Sequence, residues 1–369
     1  MNCCFAGPRP RSVGCFLFSL VLLWAILYIS PPPGQAASPQ KKNRELVFLN
    51  WPDYMEPGLI KKFEKQYGVK VRQVYYETEE DQERLLSLTN GKGYDVVLVS
   101  MINGLSYLNR KWLAPLDAAS VPNVRHIDPA WGRMAPELMK HAVPFSWGTM
   151  GIVYRKDLVE GEVRGWKDLL APREGLRGKI LMIKDSRDAM VPALKMLGYS
   201  VNSNNMAELD AAEKALLAQK PFVKKYSYPA LDKKSQLVKG DIRMAMVYSG
   251  DAVTLRELNS NIAFVFPEEG TSLWLDNLVV MASSPKKDLA MAFINFLNEP
   301  KNGAQLAGHI FQATPNLAAK KLLPPEHLRN TIIWPAGKTM AGAELYAPLP
   351  PRVQKRYNAI FLKTSEGLR

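Results

Sequence analysis

Between Leu46 and Val99 the chain alternates strand-like and helix-like segments over very short turns, and few folds accept that order. Leu46-Val47-Phe48-Leu49 is an uninterrupted apolar run, the pattern of a short strand buried on both faces. Pro57 to Tyr67 follows with Leu59, Ile60, Phe63 and Tyr67 on one helical face and Gly68 as its stop. Val69 to Tyr76 alternates as a second strand, Thr78 to Leu88 reads as a second helix, and Tyr94 to Val99 is a third apolar strand. Strand, helix, strand, helix, strand means a parallel sheet covered on both faces. Ligands of such sheets bind beyond the carboxyl ends of the strands. Trp51, Asp53, Tyr54 and Ser100 stand there.

The next stretch, Leu113 to Met150, is irregular and proline-rich. Pro144 to Tyr154 then reads as a strand interrupted by Gly148 and Gly151. Glycine inside a strand marks a bend or a close backbone approach, here a crossing between two lobes. A second α/β region follows: a helix at 166–170, a strand at 179–183, helices at 187–198 and 206–219, a strand at 243–248, a helix at 252–259 and a strand at 262–266. A strand from Leu278 to Met281 is entered through Trp274 and Asp276. Helices at 287–297 and 300–307 come next, then a loop through Gln312, and the last forty residues read as helical and basic.

Residues 1–37 read as a secretory signal: Arg9 and Arg11 precede an apolar run from Val13 to Ile29, Pro31-Pro32-Pro33 breaks it, and Gly34-Gln35-Ala36 offers small residues for cleavage after Ala36 or Ala37. An uncleaved N-terminal anchor is the alternative. All three cysteines, Cys3, Cys4 and Cys15, fall inside that segment. The mature chain therefore has no disulfide, thiol nucleophile or zinc–cysteine site, which fits a bacterial periplasm. Net charge is +13, and +11 once Arg9 and Arg11 leave with the signal. The basic residues are scattered in pairs such as Lys61-Lys62 and Lys224-Lys225 rather than gathered in a nucleic-acid module.

Residues i and i+2 of an extended segment point the same way, so Trp274 and Asp276 offer an indole face and a carboxylate side by side. Asp276 also suits a turn cap, with Trp274 as local core. Asp185 suits a helix N-cap with Asp188 on the same end. As a set, however, each half contributes aromatics and acids at strand ends: Trp51, Asp53 and Tyr54 from one, Asp185, Asp188 and Tyr248 from the other. Carboxylates with aromatic faces and no histidine or cysteine suit an organic cation of charge near +2 to +3. An acid pair for glycoside hydrolysis and a tyrosine–carboxylate metal receptor are the alternatives. His126, His141, His309 and His327 are dispersed without metal spacing, and no GxSxG, P-loop or nucleotide glycine fingerprint occurs. No catalytic residue, metal or cofactor is expected.

The chain resembles the periplasmic spermidine/putrescine-binding proteins of polyamine ABC transporters. The likeness rests on Leu49-Asn50-Trp51-Pro52-Asp53-Tyr54, Tyr94-Asp95-Val96-Val97 with Ser100, Pro144-Phe145-Ser146-Trp147-Gly148, Asp185-Ser186-Arg187-Asp188, Phe266-Pro267-Glu268-Glu269-Gly270, Trp274-Leu275-Asp276, Phe293-Ile294-Asn295-Phe296-Leu297 and Thr314-Pro315-Asn316-Leu317. These occur in family order across Leu46 to Leu323. The resemblance implies an α/β, two-lobed periplasmic-binding-protein fold (type II), each lobe a mainly parallel sheet flanked by helices, with a hinge between them. Lobe 1 would comprise 45–150 plus 276–325, and lobe 2 would comprise 151–275 plus 326–369.

It also implies roles. Trp51 and Tyr54 would wall one end of the cleft, with Asp53 as an acid there and Ser100 as a polar contact. Asp185 would meet the inner amine of a triamine and Asp188 an end amine. Trp274 would cover methylenes and Asp276 hold a terminal ammonium. Tyr248 stands where spermidine binders carry Trp. Ile102 and Gln312 stand where tyrosines are expected, and Tyr346 is placed at the C-terminal contact. The implied protein is a periplasmic, monomeric receptor that delivers a polyamine to an inner-membrane ABC permease, or a polyamine sensor acting on a membrane signalling receptor. No nucleic acid is involved.

Overall fold

The computed structural model describes residues 45–368, so the signal segment read at residues 1–37 lies outside the described residues. In chain order the strands are β1 (Glu45–Asn50), β2 (Lys70–Tyr75), β3 (Val96–Ser100), β4 (Ala142–Arg155), β5 (Ile180–Met182), β6 (Val223–Tyr226), β7 (Met244–Tyr248), β8 (Ile262–Val265), β9 (Thr271–Val280) and β10 (Ala343–Leu345). They join in the order β2-β1-β3-β9-β4-β7-β5-β6, with β10 on β9 and β8 on β4. The first three strands pair in parallel, as do β6, β5 and β7. Between these two parallel groups run β4 and β9, antiparallel to each other. This is a two-lobed type II arrangement with the two long strands passing from one parallel group to the other.

The local signals explain the elements. Helix Pro57–Tyr67 begins where the Glu56 carboxylate accepts the backbone N–H groups of Gly58 and Leu59, at 2.9 and 2.8 Å. It ends at Gly68, whose φ of 63° is available to glycine without a Cβ clash. Its buried face is Leu59, Ile60 and Phe63, each worth about 2 kcal/mol of transfer free energy. Phe63 meets Phe293 and Phe296 of helix Lys287–Leu297 at 4.8 and 5.3 Å between ring centres. In the second half, Trp166, Leu194, Leu209 and Leu216 share a core with Tyr357 and Ile360 of the C-terminal helix Pro351–Ser365. Among the described residues no helix is long and apolar enough to cross a membrane.

Three segments differ from the sequence reading. Trp274 and Asp276 lie inside β9 rather than at its mouth, because β9 is paired by β4 along one edge and by β3 and β10 along the other. Helix Met101–Asn109 was not anticipated; Ser100 starts it by accepting the Asn103 N–H at 3.3 Å. The last forty residues are not continuously helical. Gly337, Gly342, Pro348 and Pro350 interrupt them, leaving the short β10 parallel to β9 before the final helix.

Candidate functional site

Asp276 occupies the middle of the sheet. It is opposite Ser100 of β3 on one side and Ser146 of β4 on the other. Its side chain is 6% exposed, and among the described residues neither carboxylate oxygen accepts a hydrogen bond or an ion pair. Burial alone pushes its carboxyl up to about 7. Trp274, two residues earlier, lies opposite Gly148. A Cβ on Gly148 would sit 2.5 Å from the indole Cζ2, so the missing side chain is what lets the ring lie across β4. The indole N–H is buried without an acceptor.

The second half supplies Asp185 and Asp188 from the turn after β5. Asp185 Oδ1 accepts the backbone N–H groups of Arg187 and Asp188 at 2.8 and 2.9 Å; it closes the turn that precedes the helical residues, whose N-cap is Arg187 rather than Asp185. Its Oδ2 has no protein partner among the described residues, and burial raises its pKa. Asp188 is buried and accepts from two phenols: Tyr248 at 2.5 Å on Oδ2 and Tyr346 on Oδ1. Burial, reinforced by the nearby Asp185 charge, lifts it to about 7. The adjacent cation is engaged elsewhere: Arg187 donates to Asn202 Oδ1 and the Ala347 carbonyl at 2.7 and 2.8 Å and lies over the Tyr346 ring. Tyr248 stacks on Tyr228 at 5.6 Å and meets the Trp274 ring edge-on at 6.0 Å.

From the first half, Trp51 follows β1 and packs on Tyr76 at 4.2 Å and Tyr54 at 6.4 Å. The Tyr54 phenol is held well above its usual range by burial and by the charges of Asp276 and Asp251, with the Gln312 side chain against it. Gln312 is 3% exposed and its Oε1 is unpartnered. Ile102 is half-buried in the first turn of helix Met101–Asn109. Two expected contributors are placed differently. Asp53 is exposed on a left-handed turn, φ 59°, at the rim rather than among the buried acids. The Ser100 hydroxyl donates to Glu79 Oε2 at 3.1 Å, so its proton is committed within the protein.

Residues 58–327 match the family model described as bacterial extracellular solute-binding protein. The chain belongs to that family. It is 30% identical over 315 residues to the spermidine/putrescine-binding periplasmic protein of Escherichia coli K12, an alignment covering 84% of this chain and 89% of that one. It is also 30% identical over 292 residues to the norspermidine sensor of Vibrio cholerae, covering 79% and 80%. Among solved structures, it is similar to the spermidine/putrescine ABC transporter substrate-binding protein of Streptococcus pneumoniae, with a TM-score of 0.75, 28% identity, and coverage of 88% of this chain and all of that one.

Three groups of this solute-binding protein escaped the sequence reading. Glu79, in the first turn of helix Glu79–Thr89, reads in sequence as an ordinary acid at a helix start; here it is half-buried and bound to Ser100. Asp251 falls between the strand and helix expected at 243–248 and 252–259, yet helix Ser249–Leu258 begins earlier and includes it, and the Tyr228 hydroxyl donates to it at 2.5 Å. Burial raises Asp251 to about 6. Tyr228 had no pattern around it that could have identified it. Among the described residues no cluster of His, Cys, Asp and Glu could hold a metal ion, and no Lys or Arg forms an ion pair with Glu79, Asp185, Asp188, Asp251 or Asp276. Carboxylates raised by burial and left without cations are stabilised when a ligand brings positive charge and N–H donors to them.

Proposed function

We propose that this solute-binding protein captures a polyamine of the spermidine or putrescine type between its lobes and delivers it to an inner-membrane ABC permease. The observation that carries the reading is Asp276, a buried carboxylate with no partner in the protein, flanked by an indole and facing further buried acids. An alkylammonium chain matches both features: its charged nitrogens suit the carboxylates, and its methylenes suit Trp51, Tyr54, Tyr248 and Trp274. The ligand-binding set is Trp51, Tyr54, Asp185, Asp188, Tyr248, Trp274, Asp276 and Gln312, with Asp53 at the rim and Ser100 acting through its bond to Glu79. We draw the lobe boundary where β4 and β9 change neighbours, near residues 150 and 276. Closure there would bring Asp185 and Asp188 toward Asp276.

Binding without catalysis, a periplasmic location and a monomeric state belong to the same reading. They are supported by the named relatives and by a site that pairs acids with aromatics. The norspermidine sensor's equal identity favours one second reading, a polyamine sensor that acts on a membrane signalling receptor. Deleting the gene and measuring uptake of labelled spermidine separates the two. Lost uptake supports delivery, and unchanged uptake with altered signalling supports sensing. For the shared pocket, calorimetric titration with putrescine and spermidine is the test, and absence of binding to both removes the reading.

A further inference from the structure

Two carboxylates outside the sequence-derived set sit among the ligand residues, and each keeps one oxygen without a protein partner among the described residues. Glu79 Oε2 accepts from Ser100 Oγ and from Asn103 Nδ2, while Oε1 accepts from nothing. Ser100 lies directly opposite Asp276 in the sheet, so Glu79 is bonded to the residue paired with Asp276. The charges acting on Glu79 are those of Asp276, Asp185 and Asp188, all of them acids. Asp251 Oδ2 accepts from the Tyr228 hydroxyl, while Oδ1 is free. Its neighbour Gly250 is so close to Gln312 that an added Cβ would stand 3.0 Å from Cγ of that side chain. Gln312 is 3% exposed with an orphaned Oε1, and Ser146, the other sheet neighbour of Asp276, is 2% exposed with an orphaned Oγ. Buried acceptors of this kind call for N–H donors that the protein itself does not supply.

The free oxygens number five: Glu79 Oε1, Asp185 Oδ2, Asp251 Oδ1 and both oxygens of Asp276. Asp188 is set apart because tyrosines occupy both of its oxygens. First-turn position explains a fully exposed acid; Glu79 and Asp251 are half-buried, each bonded to a hydroxyl through one oxygen, and neither gains a cation from the protein. Between Asp251 and Asp188 run the rings of Tyr228 and Tyr248, and Trp274 continues the wall. A chain with methylenes between its nitrogens can pass along that wall with an ammonium at each acid.

Resting on the polyamine reading above, we propose that Glu79 and Asp251 each hold an ammonium group of the ligand, so that the site fits a linear polyamine of four nitrogens better than one of two or three. These two residues set the length and charge of the preferred ligand, while Asp276 contributes to binding of every amine. The test is calorimetric titration of the full mature chain with putrescine, spermidine and spermine, for the parent and for Glu79→Gln, Asp251→Asn and Asp276→Asn, with melting curves to verify folding. The parent is expected to bind spermine at least tenfold more tightly than spermidine. Glu79→Gln and Asp251→Asn each reduce the spermine affinity at least tenfold and lower the spermine-to-putrescine affinity ratio, and Asp276→Asn weakens all three; an unchanged ratio in both variants overturns the assignment. A parent that binds spermidine as tightly as spermine overturns this proposal and leaves the polyamine reading standing. Absence of binding to all three amines overturns both. If either single variant fails to fold, Glu79→Ser or Asp251→Ser, which also remove the carboxylate, supplies the same comparison.

Discussion

Replacing Asp276 by asparagine separates two free energies of opposite sign. The carboxyl is 6% exposed, has no partner among the described residues, and is lifted from 3.8 to about 7 by burial alone. That rise corresponds to about 4 kcal/mol against the ionised form. The folded chain therefore holds this proton more tightly than the unfolded chain. The group's contribution to stability is fully present below about pH 4, declines as pH rises from there through 7, and is lost above it. Asparagine has nearly the same shape and no charge to desolvate. Without ligand, Asp276→Asn is expected to be more stable than the parent by roughly 2–4 kcal/mol at pH 8, and by much less at pH 5. Binding moves the other way, because the variant loses a charge-assisted hydrogen bond of about 1.5–3 kcal/mol, or roughly 10- to 150-fold in affinity. Urea unfolding without ligand at pH 5 and 8, together with spermidine titration at pH 8, reads both quantities. A variant that is destabilised at pH 8, or that binds spermidine as the parent does, refutes the assignment.

The parent's affinity for spermidine should rise between pH 5.5 and 8, because Asp276 and Asp188, at about 7, and Asp251, at about 6, must release protons to meet ammonium groups; binding heats in buffers of different ionisation enthalpy should report net proton release below pH 7, and pH-independent binding contradicts this. Gly148→Ala places a methyl group 2.5 Å from the Trp274 ring and should weaken polyamine binding about tenfold or more through a displaced indole, with quenching of tryptophan fluorescence on binding altered in parallel. Asp95→Asn strikes the fold rather than the site: the buried carboxylate accepts from the Val47 N–H at 2.8 Å, Ser284 Oγ at 2.6 Å and Lys286 Nζ at 3.0 Å. It should cost about 1.5–3 kcal/mol in urea unfolding, with spermidine affinity unchanged in the folded fraction.

Much of the fold was legible because the signals were local. Pro57, Gly68 and one apolar face are enough for the first helix, and the apolar runs at Phe48, Val97 and Val247 are enough for buried strands. The site was partly legible for the same reason: Trp274 and Asp276 share a face at any strand position, so misjudging where β9 begins did not disturb the pair. What stayed hidden depended on distant partners. Glu79 and Asp251 sit in first helical turns, where acids are ordinary, and only the distant partners Ser100 and Tyr228 reveal that they face the site. Asp53 illustrates the converse. Its neighbours in sequence, Trp51 and Tyr54, turn inward, whereas a left-handed backbone leaves its own side chain at the rim. The C-terminal segment misled because its basic, helix-forming residues are cut by prolines, and the extended piece so formed brings Tyr346 onto Asp188.

The most direct test is titration of the purified mature chain with spermidine at pH 7.5 in low salt. The expected result is a one-to-one isotherm with a Kd of about 1 µM or tighter, near 8 kcal/mol, abolished or weakened at least tenfold in Asp276→Asn. A parent chain that takes up no spermidine, putrescine or spermine would contradict the reading of these buried acids as an ammonium site.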